Sequence, residues 1–148
     1  MKTTKMILKS QRGMSLIEIL IALTLLAVGG TMVTTTVLDR LDEGNKTATV
    51  TQIRNLGTIL LDYKRKCGLY PTSEQGLNAL VEKPTAGKEC RRYPNNGFIQ
   101  NGKVPTDAWD QDFYYESDGR KYTIISYGKD FEEGGEGEFD ADINSNDL

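Results

Sequence analysis

From Met14 to Leu38 the residues are overwhelmingly apolar with no polar face, and Glu18 is the one ionisable residue among them. As a helix this run measures about 37 Å at about 1.5 Å per residue. That exceeds the roughly 30 Å hydrocarbon core of a bilayer, so the pattern predicts a spanning helix over 14–38. Gly29-Gly30 lies in its second half, where a glycine pair permits close packing or local unwinding. A polar stretch, Asp42 to Lys46, follows Leu38 and Leu41. Apolar residues then return at Ile53, Leu56, Ile59, Leu60 and Tyr63, a three-four spacing that marks one buried helix face. Lys64, Arg65 and Lys66 suit the last turn of that helix and Gly68 its close. A helix with a single apolar stripe needs a partner layer, so the remainder of the chain should pack on it.

Thr72 and Gln75 fit a capping box and predict a short second helix starting at Ser73. Leu77, Leu80 and Val81 form its inward face, and Pro84 ends it. A loop follows from Lys83 to Arg92, in which Arg91-Arg92 reads as solvated. Phe113-Tyr114-Tyr115 and Tyr122-Thr123-Ile124-Ile125 flank Ser117-Asp118-Gly119-Arg120, and Asp-Gly between aromatic and β-branched runs predicts a hairpin. The expected class is α+β: a long helix packed on a small head of about 100 residues.

Composition and charge narrow the chemistry. At 148 residues, 38% hydrophobic and 26% charged, the chain accommodates one stem and one small domain. Lys2, Lys5, Lys9 and Arg12 precede the apolar run without an acid, which keeps the leader on the cytoplasmic side. The net charge is −3, and no nucleic-acid partner is expected. Without histidine there is no Ser-His-Asp or Cys-His site, and two cysteines cannot build a four-thiolate zinc centre. Gly135-Glu136-Gly137 lacks the Lys-Ser/Thr of a phosphate loop. An anchored enzyme is therefore disfavoured. Asp130 to Leu148 holds eight acids and no Lys or Arg, interleaved with Gly134, Gly135 and Gly137. Two readings stand: a solvated acidic tail or an oxygen-rich calcium loop. It is not an EF-hand, because Ser145 stands where that loop needs glycine.

The short basic leader ending in Gly13, the apolar Met14 and the Glu18 five positions after that glycine resemble a type IV prepilin signal. The resemblance implies that prepilin peptidase cuts between Gly13 and Met14. It also implies that Met14 becomes the N-methylated amino terminus, and that Glu18 meets the amino terminus of a neighbouring subunit during assembly. A secretory signal peptide or a plain signal anchor leaves Glu18 unexplained, since a carboxylate in a span costs a few kcal/mol.

Further on, Tyr70-Pro71-Thr72-Ser73-Glu74-Gln75-Gly76-Leu77-Asn78-Ala79-Leu80, then Tyr93-Pro94, Gly97-Phe98-Ile99, Trp109 and a hairpin running into Ser126, Gly128 and Asp130 resemble the major pseudopilins of type II secretion systems. The likeness runs from Gly13 to Ile143. There are departures. The family's Asp-Pro-Trp-Gly reads Asp107-Ala108-Trp109-Asp110, and its Ser-Leu-Gly-x-Asp-Gly ends in Phe131. The loop also carries an insertion near Phe139, and the two cysteines are outside the pattern.

The resemblance implies a type IV pilin-like fold: a leader 1–13, a stem 14–38 and a periplasmic head 39–148. The head comprises a helix continuation 39–67, an αβ region 68–110, a hairpin 112–127 and a calcium loop 127–148. One Ca2+ would be held by the carbonyls of Tyr127 and Glu132 and the carboxylates of Asp130, Asp142 and Asp140. The implied function is a structural subunit polymerising into the periplasmic pseudopilus that drives protein export. The implied partners are its own copies, minor pseudopilins, an inner-membrane assembly platform with its ATPase, prepilin peptidase, the exported proteins and, before assembly, the inner membrane. The alternative is a type IV pilin of surface fibres. Such pilins close a disulfide loop near the C-terminus, whereas both cysteines here lie mid-chain. In the periplasm Cys67 and Cys90 are expected either to be bridged or to remain two buried thiols.

Overall fold

The computed structural model describes residues 15–148, apart from the side chains of 28–36. The leader, Gly13 and Met14 lie outside the described residues, so the cleavage and methylation positions do too. The first element, α1, runs Leu16–Cys67 and includes the Gly29-Gly30 pair and the polar stretch after Leu41. Two compact units divide it, Met1–Asp39 and Arg40–Leu148. Among the described residues no helix is long and apolar enough to cross a membrane. Met14 and the side chains of 28–36, all within the expected 14–38 span, are outside those residues.

In the second unit the stripe of α1 is the spine of the core. Ile53, Leu56, Leu60 and Tyr63 are buried against Leu77, Leu80, Phe113, Ile124 and Ile143. Each fully buried large apolar side chain contributes about 1.5–3 kcal/mol, which holds the head to the helix. Gly68, at φ 92, ends α1 after Lys64, Arg65 and Lys66 fill its last turn.

The expected second helix from Ser73 is a correction. Thr72 and Gln75 make the reciprocal capping bonds: Thr72 N–H donates to Gln75 Oε1 at 3.0 Å and Gln75 N–H to Thr72 Oγ1 at 3.4 Å. No α-helix grows from them. Gly76 sits at φ 59, which turns the chain out of the helical region, and Gln75 Nε2 donates instead to the Ala86 carbonyl at 2.6 Å. Only a single 3-10 turn, Leu77–Leu80, follows. With about three residues per turn it buries Leu77, Ala79 and Leu80 and leaves Val81 half-buried.

The hairpin forms as β1, Tyr114–Ser117, and β2, Tyr122–Ser126, with Ser117 opposite Tyr122. Asp118 Oδ1 fixes the turn by accepting the N–H groups of Arg120 and Lys121, each at 2.8 Å. Burial pushes the Tyr115 phenol up to about 12, and its hydroxyl donates to the Pro71 carbonyl at 2.8 Å. A third strand, β3, Ile143–Asn144, pairs antiparallel with β2 and completes the order β1-β2-β3.

Asp107 ties the turn before the hairpin to β2. It is only 3% exposed. Its Oδ1 accepts the N–H groups of Trp109 and Gln111, each at 2.9 Å, and its Oδ2 accepts the Ser126 hydroxyl at 2.6 Å. Beside it, Ala108 N–H donates to Thr49 Oγ1 of α1 at 3.1 Å.

Candidate functional site

Three regions carry the chemistry: the stem, the bridge at the end of α1, and the acidic loop. In the stem every large apolar side chain from Leu16 to Leu26 is exposed, at 42–87%. Glu18 stands exposed among them, and no ion pair to it forms among the described residues.

Cys67 and Cys90 are joined in a disulfide, with Cα atoms 4.6 Å apart. Cys90 is buried, and the bridge fastens the Lys83–Arg92 loop to the last turn of α1. Lys83 and Glu89 pair within that loop at 2.8 Å, and the Lys83 ammonium holds the Glu89 carboxyl below its ordinary range.

The acidic loop between β2 and β3 folds back on itself. Lys129 N–H donates to the Phe139 carbonyl at 2.9 Å, and Lys129 Nζ reaches Asp42 Oδ2 of α1 at 2.6 Å. Asp130 Oδ1 accepts Glu132 N–H at 3.1 Å. Both oxygens of Asp142 accept Gly134 N–H at 3.1 Å. A Cβ placed on Gly135 would strike Asp130 Oδ2 and the Asp140 carbonyl, so those two oxygens converge on that glycine. The Asp140 carboxylate turns towards Gly137 instead.

Of the five residues expected at a calcium ion, the fold therefore gathers Asp130, Asp140 and Asp142 around Gly134-Gly135, with Asp140 offering its carbonyl there. Glu132 is exposed, and the Tyr127 ring lies 6.1 Å from that of Tyr114. The Tyr127 phenol is pushed up by desolvation and then by Glu133, Tyr114 and Asp142, which marks the negative field of the loop. Among the described residues no three Asp, Glu, Cys or His side chains stand together as a metal-holding group. Asp130 and Asp142 accept backbone N–H groups of their own loop. The converging donors are carboxylate and carbonyl oxygens without sulfur or imidazole, a set that fits a hard cation.

Among the described residues, Asp110 and Phe131 are the two non-glycine residues at positive φ, each at 65°. Both turns therefore hold an L residue in the left-handed region that favours glycine. An L side chain there costs roughly 1–2 kcal/mol, partly offset by the greater chain entropy of glycine. Phe131 is 49% exposed and gives up little packing when removed. Phe131→Gly is expected to stabilise the head by about 0.5–1 kcal/mol, read as a higher urea midpoint. An unchanged or lower midpoint would show that the turn carries no such strain.

Sequence reasoning missed the Lys129–Asp42 pair and the Asp107–Ser126 bond. Neither has a periodic signature, although a buried acid flanked by a turn is a recognisable candidate at Asp107.

Residues 36–146 match the family described as Type II secretion system (T2SS), protein G, and residues 8–34 match the prokaryotic N-terminal methylation motif. The chain is 37% identical to the type II secretion system core protein G of Dickeya chrysanthemi over 124 residues, 82% of this chain and 80% of that one. It is 36% identical to the core protein G of Vibrio cholerae over 132 residues, 88% of each chain. The crystal structure of the major pseudopilin from the type 2 secretion system of enterohaemorrhagic Escherichia coli superposes with a TM-score of 0.63 at 30% identity, covering 75% of this chain and 94% of that one. A stem of exposed apolar residues opening on a lone acid, an α+β head closed on a long helix, and these matches lead to one conclusion: the chain belongs to the type II secretion system protein G family, the major pseudopilins.

Proposed function

We propose that this chain is the structural subunit of a periplasmic pseudopilus, a helical homopolymer whose growth drives folded proteins out through a type II secretion system. The observation that carries this is the stem. A helix that exposes apolar residues all round is stable only when lipid or other helices cover it. Lipid covers it while the subunit is anchored in the inner membrane with its head in the periplasm. Neighbouring stems cover it in the filament. Prepilin peptidase cuts between Gly13 and Met14, and Met14 is N-methylated. An inner-membrane platform with its ATPase adds subunits, minor pseudopilins complete the filament, and exported proteins are its cargo.

Glu18 is the polar element of that apolar contact. Its carboxylate seeks a cation, and the amino terminus created at Met14 of a neighbour supplies one. Glu18→Ala is expected to insert and be cleaved normally and yet to give few filaments. Counting sheared filaments by electron microscopy and comparing membrane-extracted subunits with wild type tests this. A normal filament yield would remove the role.

The acidic loop fits a calcium ion held by Asp130 and Asp142 with the Asp140 carbonyl, and by the carbonyls of Tyr127 and Glu132. The ion would supply charge neutralisation where eight acids lie without a Lys or Arg from Asp130 onward. Ligand bound only to the folded state adds about 2.7 kcal/mol at a hundredfold excess over Kd. The protein is expected to melt higher in calcium than in chelator, and Asp130→Ala or Asp142→Ala is expected to abolish that difference. Equal melting in calcium and chelator would leave the loop a solvated acidic segment.

A further inference from the structure

We propose that the acidic loop of one copy, Glu132 to Glu138, docks on the basic rim around the Cys67–Cys90 bridge of a second copy. The proposal rests on the polymer reading above and names the contact that orders the heads.

The rim is a groove of about 550 Å³ lined by Arg65, Lys66, Lys88, Arg91 and Arg92 around Cys67. All five cations are exposed. Among the described residues only Lys66 has an ion pair, with Asp62 at 3.0 Å. The groove's single acid, Glu89, is already engaged by Lys83. Arg65 and Lys66 come from the last turn of α1, and Lys88, Arg91 and Arg92 come from the loop, so the disulfide is what holds the two halves of the rim together. The carbonyl end of α1 adds its own partial negative charge, which helps hold the cations there.

The opposite charge lies at a distant point of the same head. Glu132, Glu133, Glu136 and Glu138 are all exposed and have no hydrogen bond or ion pair from their side chains to a cation among the described residues. Their loop is fastened to α1 by the Lys129–Asp42 pair. From Asp42 to Lys66 the helix rises about 36 Å at about 1.5 Å per residue. At a Debye length of about 8 Å in physiological salt the two patches cannot neutralise each other within one chain. A second copy displaced along the helix direction brings them together. Such a contact joins two different patches head to tail, and a contact of that kind generates open filaments rather than closed dimers. Single exposed ion pairs are weak, but several converging pairs steer docking and fix register.

The test uses the full chain, with filaments counted by electron microscopy after shearing. One variant carries Lys88→Glu, Arg91→Glu and Arg92→Glu, and the other carries Glu133→Lys, Glu136→Lys and Glu138→Lys. Each alone is expected to lower filament yield at least about tenfold, because like charges then meet across the contact. Both sets in one chain restore opposite charges, and the yield is expected to return to within about threefold of wild type. Co-expression of the two variants is also expected to restore filaments, since each then offers the patch that the other lacks. A variant that failed merely by misfolding would not be rescued in either way. Normal filaments from either single-sided variant would overturn the contact and leave the polymer reading intact. Loss without rescue would overturn the pairing. Unchanged filaments with weakened binding to anionic lipid vesicles would assign the rim to a membrane surface and overturn the contact. A wild type that forms no filaments under secretion-competent expression would remove the polymer reading and this contact together.

Discussion

Replacing Asp107 by alanine is expected to cost the head about 3–4 kcal/mol. The carboxylate is buried and accepts three hydrogen bonds: two from the N–H groups of its own turn and one from the Ser126 hydroxyl of β2. Removing it leaves the buried Ser126 hydroxyl and the part-buried N–H groups of Trp109 and Gln111 without their acceptor. Each such donor costs about 1–3 kcal/mol, reduced where the turn relaxes. Asp107→Asn is expected to lose much less. Its carbonyl oxygen still caps the turn, and the Ser126 hydroxyl can rotate to accept from the amide. Urea midpoints of the detergent-solubilised chain compare the three proteins. A loss below about 1 kcal/mol in the alanine variant would mean that the turn refolds around another acceptor. The effect extends to the acidic loop, because Gly128 N–H donates to the same Ser126 hydroxyl oxygen at 3.3 Å.

Removing the disulfide is the second large change. Cys67 and Cys90 are 23 positions apart, and closing a loop of that size stabilises by roughly 3 kcal/mol, mainly by restricting the unfolded chain. The double variant Cys67→Ala, Cys90→Ala is expected to lose about that much. Cys90 is fully buried, so alanine there also forfeits some packing. Reductant is expected to bring wild type down to the variant and to leave the variant unmoved. Equal midpoints of the two proteins without reductant would show that the bridge adds nothing. A destabilised rim also predicts that reduced subunits polymerise less well than oxidised ones, through the same Lys88, Arg91 and Arg92 that the bridge positions.

The parts of this fold that were legible from sequence are those written in short-range patterns. Ile53, Leu56, Leu60 and Tyr63 announce a buried helix face by spacing alone, and Asp118-Gly119 announces the hairpin. The second helix is not legible because Thr72 and Gln75 are a true capping pair whose continuation is cancelled one residue later by Gly76 at φ 59. The third strand has no sequence signature, because two residues, Ile143 and Asn144, are too few to show alternation. The loop chemistry was legible as a density of acids, while its geometry was not. Whether Asp140 offers a carboxylate or a carbonyl depends on the path of the chain past Gly135, which no spacing encodes. The basic rim was equally hidden. Arg91-Arg92 reads as a solvated pair until the disulfide sets it beside Arg65 and Lys66.

The position of β3 has a bearing on the order of events during synthesis. Ile143 is 8% exposed and belongs to the core, its strand pairs with Ser126 and Ile125, and Ser145 Oγ accepts the Ile124 N–H at 2.9 Å. The two strands of the hairpin are therefore synthesised before the residues that close its far edge. Until Ile143 arrives, the edge of β2 stays unpaired and one wall of the core is open. A head translocated amino-terminal stem first would thus reach the far side of the membrane still unfinished, and its last closure would take place there.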